Sequence, residues 1–323
     1  LPDGGIWSQY WHFDRIASCF DGAGLSNYDD SVAGGWRAFF GGLPDGARVL
    51  DLCTGNGAAA LLAAETARED AKSFRIVAVD QADIDPVHHV SRHEEDYASI
   101  IFLRDTGVEA LPFPDAAFGA VISQYGIEYS DLERSLPEAA RLVAPGGRLR
   151  LVVHAADGKI AENSRKVIAE ADLLLDEIGL PGAAKRCFIA IAAVERDPGA
   201  GDGARADADS SFAAFQNALE RAARQIPGAE DKVMFKNSGA VLLDTFQRRA
   251  HFDVDQLIAK AETIESEIRA HRGRLTALVD AALDRSGAEA LARRVCTMGA
   301  MECSASPLGN AGGLIGHVVE AFF

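Results

Sequence analysis

Two carboxylates and two glycines give this sequence its first chemical signal. Asp51 lies near the end of the apolar run Val49-Leu50-Asp51-Leu52, which leads through Cys53, Gly55 and Gly57 into the Ala/Leu-rich stretch Ala58 to Leu62. A strand that turns into a helix through two glycines lets the backbone curl tightly and admits a ligand where a Cβ would stand. Open α/β sheets bind ligands at such strand ends. Asp80 closes the next apolar run, Ile76-Val-Ala-Val79. A carboxylate there suits the hydroxyls of a ribose, so the pair points to a nucleotide-like cofactor.

Two cofactor classes compete for this turn. Gly55-x-Gly57-x-x-Ala60 satisfies the dinucleotide fingerprint, and Asp80 follows at about the ~20-residue remove that fingerprint requires. That reading makes the chain an NAD-dependent oxidoreductase. Charge argues the other way: Asp51 at the mouth of the turn repels a pyrophosphate and attracts a ligand carrying an ammonium and a sulfonium.

The pattern Asp51-x-Cys53-x-Gly55-x-Gly57 resembles the first motif of class I S-adenosylmethionine (SAM)-dependent methyltransferases, with Cys53 where that family often has glycine. Glu109-Ala-Leu-Pro-Phe-Pro-Asp115, Phe118-Gly-Ala-Val-Ile-Ser-Gln-Tyr-Gly126 and Leu142-Val-Ala-Pro-Gly-Gly-Arg148 resemble the third, fourth and fifth strand regions of its small-molecule branch. That branch is similar to the ubiquinone/menaquinone-biosynthesis methyltransferase type. The match runs over roughly 41–156; Gly119 replaces the aspartate usual after the phenylalanine, and Asp105 to Val108 is longer than the common form.

The resemblance implies SAM as cofactor and S-adenosyl-L-homocysteine as product. Asp51 would meet the methionine ammonium, and Cys53, Gly55 and Gly57 its amino-acid part. Asp80 would take the ribose, Gln81 would lie against the adenine, and Asp105, Thr106, Gly107 and Val108 would border it. Ser123, Gln124 and Tyr125 would flank the methionine chain and reactive methyl, capping of the strand end being the alternative for Ser123 and Gln124. Methyl transfer is an in-line displacement that mainly needs alignment, with a base required only for a protonated acceptor. His154, just past the fifth strand, is the first candidate base and His12 the second; Tyr10, Trp11, Asp157 and Asn163 are substrate candidates. Oxygen stands slightly ahead of nitrogen or carbon as the acceptor atom. A SAM-binding or interaction protein without turnover is a further alternative.

The elements that must hold these residues follow from periodicity. Strands are expected at 48–53, 75–80, 100–104, 118–124 and 148–153, with helices at 57–68 and 132–143. That alternation makes an α/β, Rossmann-like, mostly parallel sheet with helices on both faces. The resemblance adds a closing antiparallel hairpin from 298–304 and 313–323, giving seven strands and leaving a large helical insertion. The expected domains are an aromatic lid segment (1–40), a SAM-binding core (41–155), a helical cap (156–295) and C-terminal strands (296–323). In the lead, Asp30 or Ser31 caps a helix whose Trp36, Phe39 and Phe40 are packing anchors, while Phe20 belongs to the same aromatic run. Asp197 to Ser210, acidic and Gly-rich, reads as a flexible loop. Val254, Leu257, Ala261, Ile264, Ile268, His271, Leu275, Leu278 and Ala282 form the seam of one long helix, with a bend plausible at Gly273 and a homodimer as one way to cover it.

Composition narrows the partners. A formal charge of −16 over 323 residues argues against a nucleic-acid surface. Five cysteines, an odd count without framework spacing, set the expectation of a reducing compartment and no metal array at Cys296 and Cys303. No run has the length of a membrane span and no leader pattern precedes the core, so a cytoplasmic enzyme with a small-molecule substrate is expected.

Overall fold

A computed structural model describes residues 4–18, 27–197, 199–226 and 233–323; Phe20 of the aromatic lead lies outside them. Helix α1 (Gly4–Trp11) and helix α2 (Asp30–Gly41) precede the sheet. The side chain of Asp29, one residue earlier than expected, caps α2 by accepting from the amides of Ser31 and Val32. Strand β1 (Arg48–Leu52), helix α3 (Ala58–Glu69) and strand β2 (Arg75–Val79) follow, then short helices α4 (Pro86–His89) and α5 (Glu94–Tyr97), β3 (Ile100–Leu103), β4 (Phe118–Gln124), α6 (Leu132–Leu142) and β5 (Val143–His154).

The sheet has seven strands in the order β3-β2-β1-β4-β5-β7-β6, completed by β6 (Glu302–Asn310) and β7 (Gly313–Phe322). Strands β1 to β5 are parallel, and β7 runs against both its neighbours. The expected mostly parallel sheet with a terminal hairpin is therefore present, its hairpin arm reaching six residues beyond Ser304, to Asn310.

Strand alternation sends successive side chains to opposite faces. Val49 joins Ile76, Ala78, Ala120 and Ile122 in a core with Trp36 and Phe40 of α2 and Leu61 and Leu62 of α3. Leu50, Leu52, Val121 and Leu149 form the opposite core with Leu136 and Ala139 of α6 and with Leu291 and Val295 of α12 (Arg285–Cys296). Asp51 shares the face of Val49, so its carboxylate points toward the α3 side of the sheet.

By contact the chain divides into two compact units, Leu1–Glu162 with Ala277–Phe323, and Asn163–Thr276. The second is helical. Helix α7 (Lys159–Asp172) runs into a π-helical turn, Leu173–Glu177, followed by α8 (Leu180–Arg196), α9 (Asp202–Gln225), α10 (Val233–Gln247) and α11 (Val254–Ala281). Two expectations change here. The stretch expected to be a loop becomes helical from Asp202, since Ala204, Ala206 and Ala208 are strong helix formers and Asp202 complements the helix dipole. Its face is almost wholly exposed, which leaves no apolar period to find. The seam of α11 is covered within the chain: Leu257, Ala261, Ile264 and Ile268 share a core with Leu174, Leu180, Phe188 and Phe215. That covering removes the observation on which a homodimer rested, and α11 continues through Gly273.

Cys296 and Cys303 are joined as a disulfide, with Cα atoms 5.9 Å apart, which the cysteine count did not lead us to expect. Among the described residues no helix is long and apolar enough to cross a membrane.

Trp36 is fully buried, with Phe40 stacked at 5.5 Å and the Arg150 guanidinium 5.0 Å from its ring. Trp36→Ala is expected to cost about 3–5 kcal/mol of unfolding free energy. A lower urea midpoint at unchanged slope would show it; a loss below ~1 kcal/mol, within the range of surface substitutions, would mean the ring is no anchor.

Candidate active site at the strand ends

The sheet order reverses direction between β1 and β4, and the crevice at the carboxyl ends of those two strands is where ligands enter such sheets. Asp51 of β1 and Cys53 just past it meet Gln124 of β4 and Tyr125 just past it there. They line, with Thr54, a cavity of about 20 Å³ bounded also by Trp11 and Tyr28, room for about one water. The backbone is strained on both sides: Cys53 has φ 55° and Tyr125 φ 52°, left-handed values uncommon for side chains of their size. Gly126 answers this geometry, because a Cβ there would stand 2.4 Å from the Cβ of Cys53.

Asp51 is almost fully buried. Its Oδ2 accepts from the Thr54 hydroxyl (2.6 Å) and the Ala60 amide (3.2 Å), whereas Oδ1 is buried without a hydrogen-bond partner among the described residues. Burial pushes its pKa up to about 7, the nearby Asp80 adding to the rise. Gln124 is the second orphan. Trp36 donates its indole N–H to Gln124 Oε1 (2.5 Å), while the buried Nε2 has no hydrogen-bond partner among the described residues. An unpaired carboxylate oxygen and an unpaired amide donor lining one cavity fit the ammonium and carboxylate of an amino-acid ligand. Burial likewise raises the Cys53 thiol, with Asp80 and Glu128 adding negative charge.

Asp80 anchors the neighbouring turn. Its Oδ2 accepts from the Gly55 amide (2.7 Å) and its Oδ1 from the Ala82 amide (2.8 Å), while burial raises its pKa. A carboxylate has lone pairs beyond those two, so the pinned group can still accept from ribose hydroxyls. Segment 105–108 is tied to the same turn: the Asp105 amide donates to Ala82 O (3.3 Å) and the Thr106 amide to Asp80 O (2.8 Å). Gln81 is exposed beside it, and Val108 turns its side chain into the core.

Trp11 lies on the glycine turn itself. A Cβ on Gly55 would fall 2.4 Å from its ring, and the ring packs against Ala82 and Ile84. Asn56, missed because it is a variable position of the motif, holds the segment there, its Nδ2 donating to Trp11 O (3.0 Å) and Arg15 O (2.8 Å). Tyr10 packs edge-on to Trp11 at 4.8 Å.

His154 is fully buried at the end of β5, with Nδ1 2.7 Å from Glu128 Oε1 and its ring stacked on Tyr125 at 4.2 Å. Glu128 escaped the sequence reading; the signal was an acid four residues past an apolar strand, in a segment rich in aromatics. His12 lies elsewhere, its Nε2 3.0 Å from Asp83 O and its ring 4.7 Å from His89. Those residues follow β2, three strand spacings from β5, or roughly 14 Å. One proton cannot be shared across that gap, so the two candidate bases do not form one site. Ser123 is spent on structure, donating to Leu52 O (2.9 Å) and accepting from the Ile127 amide (3.1 Å). Asp157 and Asn163 are exposed, on a turn and on α7 respectively.

Known proteins resemble the chain over the stretch that carries these residues. A family model described as a methyltransferase domain matches residues 49–147. The chain is 36% identical over 104 residues to a demethylmenaquinone methyltransferase of Thermus thermophilus, covering 32% of this chain and 44% of that protein. It is 37% identical over 108 residues to a ubiquinone/menaquinone biosynthesis C-methyltransferase of Geobacter sulfurreducens, covering 32% and 40%. It is 31% identical over 147 residues to a 2-phytyl-1,4-naphtoquinone methyltransferase of Thermosynechococcus vestitus, covering 43% and 61%. The chain thus spans about half the length of these relatives, and the matched part holds the glycine turn, Asp51, Asp80 and the end of β4. Residues 49–147 form a methyltransferase domain of the class I SAM-dependent kind.

Proposed function

We propose that the whole protein transfers a methyl group from SAM to a small-molecule acceptor, releasing S-adenosyl-L-homocysteine. The orphaned Oδ1 of Asp51 carries this reading, because a buried, unpaired carboxylate oxygen is costly unless a cation meets it. Bound SAM supplies a methyl on a positively charged sulfur. Asp51 and Gln124 hold the amino-acid end, Asp80 the ribose, and segment 105–108 with Gln81 the adenine. Tyr125 borders the reacting methyl, and His154 is the base where the acceptor carries a proton. Oxygen, slightly favoured from sequence, gives way to carbon as the acceptor atom to test first, since a relative 37% identical is named a C-methyltransferase. We assign acceptor choice to the helical unit 163–276, which lies outside the methyltransferase match. The segment bearing Tyr10 and Trp11 acts as a lid on the cofactor turn rather than as an acceptor site, because Trp11 covers Gly55.

Isothermal titration is expected to show binding of SAM and S-adenosyl-L-homocysteine and none of NAD; the reverse selectivity would restore the oxidoreductase. Asp51→Asn should weaken SAM about 10- to 100-fold, the worth of one hydrogen bond to a charged group.

Affinity for SAM should also follow the ionisation of Asp51. A cation prefers the carboxylate, so with a pKa of about 7 in the free protein, SAM binding should weaken about tenfold from pH 8 to pH 6 and release protons at the lower pH. Without ligand the sign is opposite. Because folding raises this pKa, the stability linked to it is full below pH ~4 and is lost as pH climbs through about 7. Asp51→Asn should therefore gain on the wild type in thermal melts at pH 8. A SAM affinity that is flat across this range would remove Asp51 from the site.

Displacement of the lid predicts a change in tryptophan emission on SAM addition that Trp11→Phe abolishes. An unchanged response in that variant would place the cofactor away from Gly55.

A further inference from the structure

We propose that Trp36 is a positioning residue for cofactor specificity: its indole N–H turns the Gln124 amide so that the NH2 group is presented to the ligand, and the site thereby selects a sulfonium that keeps its α-carboxylate. This rests on the methyltransferase reading above. Trp36 lies in the middle of α2, and Gln124 is the last residue of β4. The indole N–H donates to Gln124 Oε1 at 2.5 Å, and both side chains are buried. Gln124 lines the cavity together with Asp51, whereas Trp36 meets the cavity through Gln124.

The direction of the amide follows from what each atom can do. An indole nitrogen only donates, an amide oxygen accepts and an amide nitrogen donates. A half-turn of the Gln124 amide would set two donors against each other and leave the buried indole N–H unpaired, at the desolvation cost of a buried polar group. The indole itself has little freedom. Its ring is stacked on Phe40 at 5.5 Å, meets Phe39 edge-on at 5.8 Å and has the Arg150 guanidinium 5.0 Å away. Arg150 is held in turn by Glu320 at 2.6 Å. With the oxygen committed to Trp36, Nε2 remains as a buried donor with no partner among the described residues.

Charge makes that donor matter. Among the described residues no lysine or arginine lines the cavity, so a ligand carboxylate entering it has no side-chain cation to meet. Asp51 has its own unpaired oxygen there, and Thr54 gives its hydroxyl proton to Asp51 at 2.6 Å. A carboxylate beside Asp51 is repelled unless a donor offsets the like charge. Gln124 Nε2 is such a donor, whereas its oxygen would add one more acceptor. Asp51 alone would take any sulfonium bearing an amine. The Asp51 acceptor and the Gln124 donor together read an ammonium and a carboxylate on one carbon. A core that needed only an aromatic ring at position 36 would be served by phenylalanine, which brings no N–H to satisfy.

The test compares S-adenosyl-L-homocysteine with its decarboxylated form, the same molecule lacking only the carboxyl group, by calorimetry on the full chain. The wild type should bind the intact ligand at least about tenfold more tightly, the worth of a hydrogen bond to a charged group. Trp36→Phe keeps an aromatic ring and removes the N–H, and the preference should drop to about threefold or less. A general loosening of the site weakens both ligands alike and leaves the ratio standing, so the ratio separates positioning from packing. Gln124→Met should lower the preference equally, and adding Trp36→Phe to it should change the ratio no further. A wild type indifferent to the carboxyl group, a wild-type ratio in Trp36→Phe, or a further fall in the double variant would overturn the proposal. If Trp36→Phe does not fold, a crystal structure of the wild type with S-adenosyl-L-homocysteine decides. Gln124 Nε2 should then lie within about 3.2 Å of the ligand carboxylate, and a carboxylate bound elsewhere refutes the assignment. A wild type that binds neither ligand overturns the methyltransferase reading itself and this proposal with it, a failure seen before any variant is made.

Discussion

The site depends on one costly arrangement: carboxylates held away from water around a single crevice. Asp51 and Asp80 are both buried, both pushed upward in pKa by burial, and close enough for each charge to be felt at Cys53. Among the described residues their hydrogen-bond partners are backbone amides and one threonine hydroxyl, with no lysine or arginine. Such a cluster lowers its free energy by taking up a cation. In the proposed reaction the cofactor enters with a positive sulfur and leaves with a neutral one. The same field therefore favours substrate over product, and product release needs no separate device to weaken it.

The carboxylates also shape the turn they occupy. Asp51 ties Thr54 to the first turn of α3 through Ala60, and Asp80 ties Gly55 to Ala82. The left-handed residues Cys53, Gly55 and Gly57 lie between these anchor points, which fix an otherwise unfavourable path. Packing reaches the site by a second route. Trp36 is an anchor of the core, and its indole N–H sets the orientation of the Gln124 amide at the cavity. A core side chain thus does two jobs, and its loss would disorder the amide as well as the packing.

What could be read from sequence follows the physics of each signal. The strands and their carboxylates were legible because apolar runs ending in Asp51 and Asp80 are local patterns, and the glycine turn between strand and helix has few alternatives. Asp202 to Ser210 was not legible as helix, because an exposed, Ala-rich surface shows no burial period. Glu128 carried only a faint local signal, because its meaning depends on His154, 26 residues away and on a different strand end. Trp11 was assigned to the acceptor because aromatic residues suit many ligands; only the folded chain puts its ring on Gly55. The Cys296–Cys303 pairing fell outside a cysteine count, since a separation of 7 across a helix end and the start of β6 carries no framework signature.

The distribution of buried polar groups separates function from stability. Asp51, Asp80, Gln124, Glu128 and His154 all lie at or just past the carboxyl ends of β1, β2, β4 and β5, and all are at least nine-tenths buried. Interior positions of these strands such as Leu50, Val121, Ile122 and Leu151 are apolar and fully buried. A fold selected for stability alone would extend the apolar pattern to the strand ends, since buried polar atoms without partners oppose folding. Three of these five residues, Asp51, Gln124 and Glu128, retain an atom with no partner among the described residues. Other buried atoms without partners among the described residues, on Arg92, Arg150 and His317 for example, belong to residues outside this group. The three around one crevice, two lining its cavity and the third paired to a histidine behind Tyr125, describe a surface whose complement is a polar, charged molecule.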